Sequence, residues 1–183
     1  MSARHIETKN LKLVPHAPEH LLALISGAGE YEKSFGHRPA KGLRDFFVSA
    51  DVSPDFLAGL RSATSADPWT HGFALVYLAS GMVIGCGGFK GPPGADGTIE
   101  IAYGVVPDYQ GKGYATEAAQ ALADYAFSDS RVLVVIAHTL PEANASGRVL
   151  AKCGFKHVGE VVDPQDGLVW RWEKGRGTSS QSD

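Results

Sequence analysis

The sequence predicts a mixed α/β (α+β) fold, a central β-sheet flanked by helices. Three observations carry that expectation. Strand-like runs rich in Val, Ile, Leu and aromatics alternate with stretches of helical period. A strand-helix-strand unit occupies residues 98–138. Within it, residues 132–138 form an apolar run of the kind covered on both faces, as in the middle of a sheet. The 183 residues approximate one domain, and 44% hydrophobic residues with eight Phe suffice for its core. One domain is expected over 1–174, then a disordered tail over 175–183 that has no apolar anchor.

Residues 8–14 alternate as a first strand, which Pro15 ends. Residues 18–25 carry Leu21, Leu22, Leu24 and Ile25 on a short helix that stops at Gly27. From 26 to 72 the pattern weakens into a helical, loop-rich section with amphipathic stretches near 43–48 and 54–60. Residues 73–79 and 82–89 read as a hairpin joined by the two residues Ser80 and Gly81. A turn over 91–97 leads to a strand over 98–106, closed by Pro107. In the next helix, 114–127, Ala115, Ala118, Leu122 and Ala126 form a narrow stripe that lies close on a sheet. After the central strand come a helix over 144–153, closed by Gly154, and strands near 155–162 and 168–172.

A net charge of -3 gives no global positive field, so neither nucleic acid nor an anionic membrane is an expected partner. The longest apolar run, 73–79, is far below the roughly 20 residues that cross a bilayer, and no signal-peptide pattern follows the charged start. A cytoplasmic protein is expected. Cys86 and Cys153 lack Cys-x-x-Cys spacing and read as reduced, small buried side chains.

The segment from Val105 to Glu117 carries the chemistry. A strand ends at Pro107, a polar turn follows, and Gly111 and Gly113 open a helix whose first amides lack intrahelical partners. Without side chains at those glycines, an anion can approach amides and helix dipole together, and a diphosphate suits the site. The same glycines would also serve a tight turn alone. The P-loop spacing fails at Gly111-Lys112-Gly113, and the dinucleotide fingerprint fails at Thr116.

Residues 105–118 resemble the acetyl-CoA-binding motif of the GNAT superfamily of N-acetyltransferases, Gln/Arg-x-x-Gly-x-Gly/Ala, with Gln110, Gly113 and Ala115 in the matching places. Ile99-Glu100-Ile101-Ala102-Tyr103, Asn144-Ala145-Ser146, Val149-Leu150 and Lys152-Cys153-Gly154-Phe155 are further similar to the ribosomal-protein alanine N-acetyltransferase branch. The resemblance implies a single-domain GNAT fold with acetyl-CoA as cosubstrate and no metal. It implies direct transfer of the acetyl group, in a ternary complex, to a primary amine on a small molecule or protein N-terminus; a homodimer is compatible with it. The strand bearing Val105 and Val106 would splay from its neighbour and pair with the pantetheine arm. Amides of Gly111, Lys112, Gly113, Tyr114 and Ala115 would take the pyrophosphate, and Asn144 would touch the CoA arm.

At pH 7 under 0.1% of an alkyl amine of pKa about 10.4 is neutral, a barrier contribution of about 4 to 5 kcal/mol. A carboxylate near a water chain lowers it. The resemblance makes Glu100 the candidate base, against the plainer reading of an exposed strand glutamate. The tyrosine that many relatives use to protonate the leaving thiolate is replaced by Ala151, which leaves Ser146 as the candidate donor, or as a helix cap. Loss of that tyrosine keeps open a non-catalytic acyl-CoA-binding module. A third reading rests on His16-Ala17-Pro18-Glu19-His20, a zinc-hydrolase spacing, but Pro18 belongs in a helix's first turn and would leave His16 ahead of it.

Overall fold

The computed structural model describes residues 4–48 and 54–177. Its sheet has eight strands: β1 (Ile6–Glu7), β2 (Leu11–Pro15), β3 (Phe73–Tyr77), β4 (Val83–Phe89), β5 (Thr98–Val105), β6 (Val134–Thr139), β7 (Lys156–Asp163) and β8 (Gly167–Gly175). Their spatial order is β1-β2-β3-β4-β5-β6-β8-β7. Every neighbouring pair is antiparallel except β5 and β6, which run parallel. That parallel pair needs a crossover. It is supplied by α6 (Tyr114–Ser128), the helix expected over 114–127.

Helix α6 lies on β5, β4 and β2. Ala118, Ala119, Leu122, Ala123 and Ala126 are buried along its inner stripe, the small side chains allowing the close approach. It covers the face of β5 bearing Ile101, Tyr103 and Val105; a Cβ placed on the paired Gly87 would meet Leu122 on that side. The following α7 (Ala145–Lys152) packs on α6, β6 and β7.

The section from 26 to 72 resolves into short helices: α1 (Pro18–Ser26) leads into α2 (Ala28–Phe35), α3 (Asp45–Val48), α4 (Pro54–Ser62) and α5 (Pro68–His71). Phe46 of α3 lies against Gly104 on the opposite face of the sheet, while Trp69 of α5 packs on Phe89 and on Tyr125 of α6. Residues 49–53 lie outside the described residues.

Three expectations change. The first strand, expected over 8–14, is β2 (Leu11–Pro15), and the unexpected β1 (Ile6–Glu7) pairs with it. The hairpin connection is not two residues but the four from 78 to 81, because Tyr77 donates to Met82 O at 2.8 Å and Gly81 donates to Tyr77 O at 2.7 Å. Residues 175 and 176, expected in the tail, are held by the fold. Gly175 pairs with Val134, and the Arg176 guanidinium donates to the carbonyls of Val132 and Asp129 at 2.7 Å each, an anchor that hydrophobicity does not reveal. Residues 178–183 of the expected tail lie outside the described residues.

Candidate active site

The parallel strands pair only through Thr98, Ile99 and Glu100 with Val134, Val135 and Ile136. Beyond that point β5 follows β4 as far as Gly85 and Val105, and β6 follows β8 through Thr139. The two strands therefore part into a wedge. Which backbone groups face it follows from the ladder. Lys90 N–H donates to Glu100 O at 3.0 Å and Val106 N–H to Ile84 O at 2.9 Å, so even-numbered residues of this strand address β4. The backbone groups of Tyr103 and Val105 point into the wedge. Val106, expected there beside Val105, is turned the other way and fully buried; Tyr103 takes its place.

A cavity of about 400 Å³ runs along the wedge mouth, bounded by Tyr103, Val105, Gln110, Gly113, Ser146 and Val149 among others. Gly111 (φ +75°) and Gly113 (φ +86°) adopt the left-handed conformation that favours glycine, and a Cβ on either would meet no protein atom within 4 Å. The space beside them is open to a ligand. The first intrahelical bond of α6 is Glu117 N–H to Gly113 O at 3.2 Å, so the amides of Tyr114, Ala115 and Thr116 precede it at the positive end of the helix. This donor set, a row of amides without an acidic side chain among Gly111 to Thr116, fits a diphosphate. Gln110 bends back to donate from Nε2 to Val105 O at 2.8 Å. Lys112 Nζ stands 5.6 Å from the Tyr109 ring centroid, a cation–π contact on an exposed loop.

Glu117 has a role that its spacing does not announce. Its carboxylate accepts from Thr8 Oγ1 at 2.7 Å, Asn10 N–H at 2.8 Å and Asn10 Nδ2 at 2.7 Å, fastening α6 to the β1–β2 turn. Partial burial alone would raise its pKa, but these bonds from Asn10 and Thr8 hold it below the ordinary glutamate value.

Glu100 is no lone strand carboxylate. Its side chain is 15% exposed, and Oε1 lies 3.0 Å from Lys90 Nζ and 2.9 Å from His138 Nδ1. Burial works to lower the Lys90 pKa, yet the Glu100 hydrogen bond and the charges of Glu100, Asp166 and Asp163 raise it above the usual lysine value. The cluster lines a cavity of about 520 Å³ that also touches Tyr103, Ser146 and Asp166. Tyr103 and Ser146 border both cavities, so they mark where the two meet. The Tyr103 hydroxyl and His138 Nε2 are buried with no hydrogen-bond partner among the described residues. Burial, with Cys153 nearby, drives the Tyr103 pKa well above the ordinary tyrosine value. Sequence reasoning missed Lys90 and His138 because 10 and 38 residues separate them from Glu100 and no local spacing links them. A third cavity, about 270 Å³, opens on the other face against Phe46, Phe47, Phe56 and Ala102.

Asn144 caps α7: its Oδ1 accepts from Gly147 N–H at 2.9 Å. It borders the Glu100 cavity and not the one beside Gly113. Ser146 is correspondingly free of the capping role, exposed, with its hydroxyl unpaired among the described residues.

Pro18 opens α1, leaving His16 ahead of it. His16 Nε2 pairs with the Tyr31 hydroxyl at 2.7 Å, while His20 Nδ1 accepts from Ala17 N–H at 2.9 Å. Burial, then the charges of His20 and His71, push the His16 pKa down to about 3. Both imidazoles thus serve the local fold.

The site is thus a mixed α/β sheet split at its parallel pair, with a glycine-opened helix at the mouth of the split. The acetyltransferase (GNAT) domain model matches residues 10–156, and the chain belongs to that family. The chain is 44% identical over 62 residues to uncharacterized N-acetyltransferase YnaD of Bacillus subtilis (strain 168), covering 34% of this chain and 36% of the relative. It is 30% identical over 111 residues to uncharacterized N-acetyltransferase YjdG of the same organism, 61% of this chain and 64% of the relative. The chain thus spans between about one third and two thirds of these relatives' lengths. Among solved structures, the RimL ribosomal L7/L12 alpha-N-protein acetyltransferase in complex with coenzyme A superposes with a TM-score of 0.62 at 15% identity, over 94% of this chain and 98% of that one. At that identity the likeness concerns the fold.

Proposed function

We propose that the protein is an N-acetyltransferase that moves the acetyl group of acetyl-CoA to a primary amine by direct attack in a ternary complex. The observation that carries this reading is the wedge between β5 and β6, flanked by the amides of Gly111 to Ala115 in a chain of this family. Acetyl-CoA supplies an activated thioester carbonyl. In this reading the amides of Gly111, Lys112, Gly113, Tyr114 and Ala115 hold the pyrophosphate, and Gln110 fixes the loop that presents them. Tyr103 and Val105 offer wedge-facing backbone groups to the pantetheine arm. An N–H directed at the reacting oxygen stabilises the charge that develops there. Glu100 belongs to the path that takes the proton of the acceptor amine, and the Ser146 hydroxyl, at the border of the two cavities, donates a proton to the departing sulfur.

The acceptor is a small amine or a protein N-terminus. The fold likeness to an alpha-N-protein acetyltransferase supports the second, while the aromatic cavity around Phe46 and Phe47 suits the apolar part of either. The test is incubation with acetyl-CoA and a panel of amines and peptides, reading released thiol and acetylated product. Turnover of one class names the acceptor. Tight acetyl-CoA binding with no turnover on any acceptor would instead assign a non-catalytic acyl-CoA-binding module.

A further inference from the structure

We propose that His138, and not Glu100, accepts the proton of the acceptor amine, with Glu100 as the residue that positions it. The inference rests on the acetyltransferase reading above. Its first support is occupancy: Oε1 of Glu100 already receives the Lys90 ammonium at 3.0 Å and His138 Nδ1 at 2.9 Å. Its second is the tautomer this imposes. Nδ1 facing a carboxylate carries the hydrogen, which leaves the lone pair on Nε2. Its third is that Nε2 is buried and without a partner among the described residues, although buried polar atoms are rarely left so. His138 stands two residues past Ile136, the last residue of β6 paired with β5, so it lies where the wedge has opened. It lines the same cavity as Tyr103 and Ser146.

The arrangement is that of a base oriented by a carboxylate. Nε2 has no accessible surface in the free protein, so the step requires acceptor binding to uncover it; neutral His138 then takes a proton at Nε2 from R–NH3+, and the electron pair of the broken N–H bond stays on nitrogen as the nucleophile's lone pair. The products are R–NH2 and an imidazolium, which later returns its proton to solvent. The ionisable and charged groups around it are Glu100 and Lys90, Asp163 at the end of β7, Asp166 in the following turn, and Arg171, its register partner on β8, whose guanidinium is held by Glu173 at 2.9 Å. Lys90 and His138 share Oε1 of Glu100, so the lysine offsets the carboxylate's charge at the atom that orients the ring.

The experiment compares wild type, His138→Gln, His138→Ala and Glu100→Gln in kcat and KM across pH, with acetyl-CoA affinity measured by calorimetry. We expect His138→Gln to lower kcat by about 10² to 10⁴, with unchanged acetyl-CoA affinity, and to abolish the limb on which rate rises with pH. Added imidazole should restore part of the activity of His138→Ala. Glu100→Gln should lose only about tenfold and keep a rising limb. A His138→Gln rate within twofold of wild type across pH, or loss of the limb in Glu100→Gln alone, would overturn the assignment. In ¹⁵N spectra of the wild-type protein, hydrogen on Nδ1 of His138 is expected and hydrogen on Nε2 would refute it, a readout that needs no turnover. Wild type that binds acetyl-CoA yet acetylates nothing would sink the acetyltransferase reading, while the spectrum would still decide the Glu100–His138 relationship.

Discussion

Gln110 reaches back across its own loop to Val105: Nε2 donates to the strand's last carbonyl at 2.8 Å. That single bond ties the loop of Gly111 and Gly113 to the edge of the wedge. Gln110→Ala should raise the acetyl-CoA Kd about tenfold, equivalent to about 1.4 kcal/mol, with little change in Tm. Calorimetric titration beside a thermal melt measures both, and an unchanged Kd would remove the tie from the binding site.

Gly113 separates conformational need from ligand space. Its φ of +86° costs an L-residue about 1 to 2 kcal/mol, while its Cβ direction is open. Gly113→Ala should therefore lose stability by that amount, seen in denaturant melts. Gly113→Glu should in addition abolish acetyl-CoA binding, because a carboxylate would stand where the pyrophosphate is proposed to sit. Equal affinity for both variants would be evidence against that placement.

Asn144 and Ser146 offer a clean division of labour two residues apart. Asn144→Ala removes the cap on Gly147 N–H and should cost about 1 kcal/mol of stability. Ser146→Ala should leave Tm unchanged and lower kcat. A Ser146→Ala variant with wild-type turnover would exclude its hydroxyl from the proton path.

For Glu117, the folded pKa lies below the unfolded one, so its contribution is fully present above the unfolded value and is lost as pH falls through the folded value. Glu117→Gln should destabilise by about 1.5 to 3 kcal/mol at pH 7, through weakened bonds to Thr8 and Asn10. The gap between variant and wild type should narrow at pH 3, which urea titrations at the two pH values will report.

His16 gives a second pH signature with the same sign. Its folded pKa near 3 against an ordinary 6.5 means that stability is whole above pH 6.5 and declines as pH falls toward 3, by at most about 1.4 kcal/mol per pH unit. His16→Gln should be less stable at pH 8 yet flatter over that interval. A parallel decline in both proteins would assign the acid sensitivity to other groups.

Seven of the eight strands were legible because apolar period reports burial, the two-residue β1 being too short to show one, and the glycine-opened helix was legible because its residues are contiguous. What escaped were relations between distant segments. The wedge orientation of Tyr103 and Val105, with Val106 turned away, depends on the ladder parity set by β4. The Lys90–Glu100–His138 cluster joins β5, β6 and the residue that follows β4, and Asn144 rather than Ser146 caps α7 because the helix begins at Ala145. Residues 26–72 were opaque for another reason: their short helices are too brief for a period to establish itself.

Among the described residues, three register pairs join β5 to β6, and they are the strand pairing that connects the two halves of the sheet. Mechanically this is a narrow seam along the middle of the molecule, with five strands on one side and three on the other. A ligand hydrogen-bonded within the wedge would act as stitching along the open part of that seam. Its arrival should stiffen both halves at once, and amides far from any bound atom, as distant as β1 and β7, should exchange more slowly with solvent when the seam is filled.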